Sequence, residues 1–149
     1  MPYEFKLTRK VEFAETDSAG IVHFSNYFRY MEIAEHAFCR SLGIPIVDDQ
    51  GKELFGWPLV HADCDYQAPL RFEDEFEIHL LVRGKTEKTI TYTFIFRKLN
   101  ENPVRELARG TLTVVYVSYQ PLEKRMKAMP LPQHIMAKIE VAPKELLNT

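Results

Sequence analysis

The chain is predicted to adopt an α+β fold, with one long helix covering a twisted antiparallel sheet. Three observations lead there. A single stretch, residues 25–42, repeats apolar side chains at three- to four-residue steps, the spacing of one helix face. After Trp57-Pro58 the apolar pattern changes to period two and holds to about Ser118, as strands require. Ahead of the helix, residues 4–15 form one further apolar, strand-like segment.

The elements follow in order. The first strand has Phe5, Leu7, Val11 and Phe13 as its apolar positions, and a loop over 16–24 leads to the helix. Tyr27, Tyr30, Met31, Ala34, Phe38 and Leu42 make the buried stripe of that helix. Arg29, Glu32, His36 and Arg40 lie on another face, and Glu32, Glu35 and His36 read as a solvated or interface helix face. Ser25 or Asn26 is suited to cap the start. Gly43, followed by Ile44-Pro45, stops the helix.

A loop through Asp48-Asp49-Gln50-Gly51 leads to the strand Leu59–Tyr66. Ala62, Cys64 and Tyr66 share one of its faces, and His61, Asp63 and Asp65 the other. Pro69 ends it. Phe76, Ile78, Leu80 and Val82 then alternate with polar residues, as do Ile90, Tyr92, Phe94 and Phe96 after a turn at 84–87. Asn100–Pro103 is the next turn, and a last strand rich in Thr, Val and Tyr runs from about Arg105 to Ser118. The proline-containing tail from Gln120 holds a short helix near 132–139. Consecutive strands joined by short turns are expected to pair as a meander. Such a sheet leaves open edges, which a second copy of the chain would cover.

Composition narrows the function. A length of 149 residues suits a single domain over 1–149. With 46% hydrophobic and 27% charged residues the chain is globular rather than disordered. Its net charge of -2 supplies no basic field for nucleic acid. No apolar run approaches the roughly 20 residues of a membrane span. The opening MPYEFKLTRKVEF lacks the apolar core of a signal peptide, so cytoplasmic residence is expected. The two cysteines, Cys39 and Cys64, fall in a helix and a strand and read as ordinary packed thiols.

One segment carries chemistry. Asp17-Ser18-Ala19-Gly20-Ile21-Val22-His23-Phe24-Ser25-Asn26-Tyr27 puts a carboxylate in a small-residue turn just before the helix. A helix start has unpaired N–H groups and favours negative charge. The stretch Val11–Gly43 resembles the opening of hotdog-fold acyl-CoA thioesterases of the 4-hydroxybenzoyl-CoA thioesterase type, matching at Asp17, Gly20, Ile21, Val22, Phe24, Asn26 and Tyr27. Tyr66, Pro69 and Glu73-Asp74 resemble the exit of that family's second strand. The resemblance implies a central helix wrapped by a five-stranded antiparallel sheet. It implies homodimers, often paired into homotetramers, with active sites between subunits. It also implies an acyl-CoA substrate, with Asp17 as nucleophile or general base and the Phe24 backbone N–H as oxyanion donor.

That chemistry needs neither a cofactor nor a metal. His23 is either a proton shuttle or a loop histidine. Asn26 either hydrogen-bonds Asp17 or the substrate carbonyl, or caps the helix. Glu32, Glu35 and His36 invite a metal reading, but no H-E-x-x-H motif or second ligand pair accompanies them. No G-x-S-x-G and no P-loop occurs. Two other functions compete: a 3-hydroxyacyl thioester dehydratase or hydratase using His23 with Glu35, and a non-catalytic acyl-CoA-binding module. The presence of Asp17 weighs against the latter.

Overall fold

A computed structural model describes residues 2–148. The chain runs β1 (Glu4–Lys10), a 3₁₀ turn (Phe13–Glu15), α1 (Ser25–Ser41), β2 (Asp48–Asp49), β3 (Leu54–Gly56) and β4 (Leu59–Tyr66). It continues through β5 (Glu75–Lys85), β6 (Thr89–Lys98), β7 (Arg105–Val115), β8 (Val117–Gln120), β9 (Arg125–Ala128), α2 (Gln133–Lys138) and α3 (Lys144–Leu147). The main sheet has five strands in the order β1-β5-β6-β7-β4, all antiparallel.

The period-two pattern explains the two faces of that sheet. Phe76, Ile78, Leu80 and Val82 of β5, with Tyr92, Phe94 and Phe96 of β6, are buried in one core with the α1 stripe. The rings of Tyr30 and Phe76 lie 4.8 Å apart, and those of Tyr27 and Phe96 5.3 Å. Met31 sits over Gly110 of β7, where a side chain would collide with its thioether and with the Asp63 carbonyl. On the opposite face Leu81 and Ile95 pack with Ala142, Leu146 and Leu147, so the C-terminal segment covers part of the sheet's back.

Several expectations need correction. The first strand stops at Lys10, and Phe13 lies in the 3₁₀ turn, 74% exposed. β4 pairs with β7 and not with its sequence neighbour β5. Residues 67–74 are too long for a tight hairpin and cross the sheet to β5, between β1 and β6, tied by Gln67 and Ala68 N–H groups to the Leu107 carbonyl. The expected last strand breaks at Tyr116, and its end, Val117-Ser118, joins another sheet, β2-β3-β8-β9. Arg125–Ala128 is a strand within what reads as tail, because it pairs with β8. Neither Ser25 nor Asn26 caps α1 with its side chain; Phe24 is already helical (φ -54, ψ -31), and the chain enters through a tight turn.

Candidate functional site

The turn ahead of α1 is closed by its own backbone. The Asp17 N–H donates to the Ile21 carbonyl at 2.9 Å, and Gly20 N–H to the Asp17 carbonyl at 3.0 Å. Gly20 sits at φ +78, the left-handed region where glycine carries no Cβ penalty. A bridge from Thr16 to Val22 closes the loop on itself, and one from Ile21 to Arg71 anchors it to the crossover segment. One Asp17 oxygen, Oδ1, accepts the Ala19 N–H at 2.9 Å; no donor meets the other among the described residues.

Asp17 lines a cleft of about 380 Å³ with Val22, Phe24, Tyr27, Tyr66 and Pro69. The Phe24 N–H has no acceptor among the described residues, while its ring is 61% exposed. The Phe24 carbonyl accepts the Tyr27 N–H at 3.2 Å and the Tyr66 hydroxyl at 3.3 Å. Tyr66 comes from the end of β4 and packs edge-on to Tyr27, ring centres 4.9 Å apart. Burial, above all, pushes the Tyr27 phenol up to about 12, so it stays neutral.

The remaining candidates are placed differently. His23 N–H donates to the Glu15 carbonyl, and its ring stacks on Phe24 at 4.4 Å. Its Nδ1 lies 2.8 Å from the Ser25 hydroxyl and accepts the Ser25 N–H at 3.3 Å, so the ring serves the helix start. Asn26 is buried, and its Nδ2 donates to the Glu15 carbonyl at 2.8 Å, not to Asp17. Glu15, which carries no sequence signal, is the hub of this corner. Its carboxylate accepts the Tyr30 hydroxyl at 2.8 Å and pairs with Arg9 at 3.3 Å. His61 and Asp63 are bonded at 2.7 Å on exposed β4, and none of His61, Asp63 and Asp65 lines the cleft.

A second cavity of about 380 Å³ lies along the same α1 and β4 seam, walled by Phe28, Glu32, Glu35, His36, Trp57 and Leu59. Glu35, expected on a solvated or interface face, is buried at 7% exposure and lines this cavity. Burial first, and the Glu32 charge second, raise its carboxyl from 4.5 to about 7. His23 and Glu35 do not meet, being separated by about 18 Å of helix rise. The two thiols are inert: burial first raises both Cys39 and Cys64 to about 11. No group of three or more His, Cys, Asp and Glu side chains among the described residues is arranged to hold a metal. No helix among them is long and apolar enough to cross a membrane.

Known proteins match this arrangement. The sequence model of the Thioesterase-like superfamily matches residues 11–139. A 1,4-dihydroxy-2-naphthoyl-CoA hydrolase of Prochlorococcus marinus is 29% identical over 135 residues, covering 83% of this chain and 83% of that protein. The crystal structure of a hypothetical protein from Aquifex aeolicus superposes with a TM-score of 0.77 at 33% identity, covering 91% of this chain and 99% of that one. A gentisyl-coenzyme A thioesterase superposes with a TM-score of 0.75 at 28% identity, covering 91% of this chain and 100% of that one. With a family match over most of its length, and with the helix, sheet and loop that its Asp17–Tyr27 motif implies, the chain belongs to the thioesterase-like superfamily as a hotdog-fold thioester hydrolase.

Proposed function

We propose that this chain hydrolyses an aromatic acyl-CoA thioester to a carboxylic acid and free coenzyme A, with Asp17 as nucleophile or general base and the Phe24 N–H as oxyanion donor. One observation carries the reading: a carboxylate with an unengaged oxygen and a backbone N–H without an acceptor line the same cleft. Relatives named for 1,4-dihydroxy-2-naphthoyl-CoA and gentisyl-coenzyme A support an aromatic acyl group. The aromatic walls Phe28 and Trp57 of the neighbouring cavity agree with it.

As general base, Asp17 takes a proton from water while the water oxygen attacks the thioester carbon. The carbonyl oxygen gains negative charge and meets the Phe24 N–H, a donor typically worth about 10²–10³ in rate. The C–S bond then breaks, and the leaving thiolate takes the proton back. As nucleophile, Asp17 would displace the thiolate and form an anhydride that water opens.

The same reading takes the chain as a dimer joined through β4. That strand has one sheet neighbour, β7, and its free edge exposes Leu59, Val60 and Tyr66. Two-fold antiparallel pairing about the middle of β4 sets the Tyr66 end of one copy against the Leu59 end of the other.

The test is thiol release over a panel of aromatic and aliphatic CoA esters. Wild type should favour aromatic esters, and Asp17→Asn should lower turnover by roughly 10²–10⁴. Near-wild-type release by Asp17→Asn would refute the role of Asp17, and a preference for aliphatic esters would refute the acyl class.

A further inference from the structure

Asn26 opens the buried stripe of α1, beside Tyr27 and one turn ahead of Tyr30, yet its side chain is an amide. A buried amide costs stability unless it is hydrogen-bonded, and near a helix start it ordinarily serves as a cap. Capping does not account for it here, because no side chain caps α1.

Its hydrogen bonds run to two different segments. The Asn26 backbone N–H donates to the His23 carbonyl at 2.9 Å. That carbonyl and the Phe24 N–H are the two ends of one planar peptide unit, so the bond fixes where the Phe24 N–H points. Donation to a peptide carbonyl also polarises the N–H at its other end. The Asn26 Nδ2 reaches back across the loop to the Glu15 carbonyl at 2.8 Å. Glu15 precedes Asp17 by two residues, and its carbonyl also accepts the His23 N–H at 3.0 Å. Glu15 is itself pinned. Its carboxylate accepts the Glu12 N–H at 2.9 Å and the Tyr30 hydroxyl at 2.8 Å, and pairs with Arg9 at 3.3 Å. One residue thus ties the chain entering the Asp17 turn to the peptide unit leaving it.

We infer that Asn26 is a positioning residue, setting the separation of the Asp17 carboxylate and the Phe24 N–H by clamping the His23–Phe24 peptide to the Glu15 carbonyl. The inference rests on the proposed thioesterase reading, in which those two groups act on one thioester carbonyl. Asn26 does not line the Asp17 cleft, so it works through the backbone rather than on the substrate. Misplacing reacting groups by about 1 Å can cost on the order of 10² in rate. Loss of the clamp is therefore read in kcat, with KM little changed.

Thiol release by two Asn26 variants tests this. Asn26→Ala should lower kcat roughly 10–100-fold and leave KM nearly as it was. Asn26→Asp keeps the shape but makes the bond depend on a proton. Ionised, the new carboxylate has no hydrogen to give the Glu15 carbonyl; protonated, it donates as the amide does. The charged and titratable groups around position 26 are Arg9 of β1, Glu12 and Glu15 of the 3₁₀ turn, and Arg29 and Tyr30 of α1, which share a cavity of about 230 Å³ with it. Burial and the two glutamates favour the protonated form of a carboxyl placed there, and the two arginines oppose it. The kcat of Asn26→Asp relative to wild type should rise roughly 5-fold or more from pH 8 to pH 5.5, while that of Asn26→Ala stays flat. The ratio cancels titrations common to both enzymes, those of Asp17 and His23 included. A kcat within twofold of wild type in Asn26→Ala, a loss carried in KM instead of kcat, or an Asn26→Asp ratio that ignores pH overturns the positioning role. Should Asn26→Ala not fold, the Asn26→Asp profile decides, since that variant regains the bond in acid. Near-wild-type release by Asp17→Asn would instead sink the assignment of Asp17, with the Asn26→Asp profile unmoved.

Discussion

In the proposed mechanism Asp17 would draw its reactivity from what surrounds it in a few residues of chain. Ala19 engages one oxygen and thereby orients the other, Gly20 supplies the left-handed turn, and Phe24 offers an N–H that no acceptor among the described residues uses. Tyr66 steadies the same helix start through the Phe24 carbonyl. Tyr66→Phe should therefore lower kcat by about 3–10-fold, the scale of one neutral hydrogen bond, with KM little changed. Steady-state thiol release separates the two. Glu35 makes a second residue-level prediction. Its folded pKa, about 7, lies above the unfolded value of 4.5, so the native state binds the extra proton between them. Stability is thus lost as pH rises through that window, and the loss is complete above about 7. Glu35→Gln should be more stable than wild type at pH 8 by on the order of 2–3 kcal/mol, and no more stable at pH 4. Urea melts at the two pH values measure it.

At the scale of elements, the contact between α1 and the sheet depends on a missing side chain. A Cβ on Gly110 would meet the Met31 thioether at 2.8 Å and the Asp63 carbonyl at 2.9 Å, and the latter is backbone of β4. Gly110→Ala should cost about 1–3 kcal/mol by overpacking, seen as a lower urea midpoint. The back of the sheet has its own link. His79 Nδ1 accepts from Arg97 at 3.1 Å, so Nε2 carries the proton and donates to Glu4 at 2.8 Å. Burial is the main cause that lowers the His79 pKa below 6.5, and the pair holds β1 to β5. With the folded pKa below the unfolded one, this contribution is whole above about 6.5 and is lost as pH falls. The stability difference between wild type and His79→Gln should shift in favour of the variant as pH falls from 7.5 to 5, because only wild type carries the His79 contribution that acid removes. The element map also marks how far residues alone could be read. The α1 periodicity placed a helix over 25–42 against Ser25–Ser41 found, because the buried stripe is local. The break at Tyr116 was illegible, since Val115, Tyr116 and Val117 continue a strand pattern while changing sheets. The partner of β4 is a long-range choice made by residues 67–74, with no trace in its own alternation. At the site, Asp17, Gly20 and Phe24 stood out through their motif. Glu15, the hydrogen bond from Tyr66 to the Phe24 carbonyl and the burial of Glu35 did not, because each depends on what the fold brings together.

For the whole molecule, the proposed account requires two copies. β4 exposes apolar Leu59 and Val60 along an unpaired edge, and the Asp17 cleft and the second cavity lie at its opposite ends. In the pairing that sets Tyr66 opposite Leu59, Val60 faces Asp65 of the second copy. Val60→Asp would then oppose two carboxylates, a destabilising cross-strand pair. Sedimentation should show wild type as a dimer or a tetramer built from it, and Val60→Asp as a monomer with little hydrolysis. A monomeric wild type with full activity would contradict the dimer. The most direct measurement is single-turnover hydrolysis of saturating 1,4-dihydroxy-2-naphthoyl-CoA by wild type and by Asp17→Asn. The account predicts bound but intact thioester in the variant, with the cleavage rate down by roughly 10² or more. Cleavage at the wild-type rate by Asp17→Asn would contradict it.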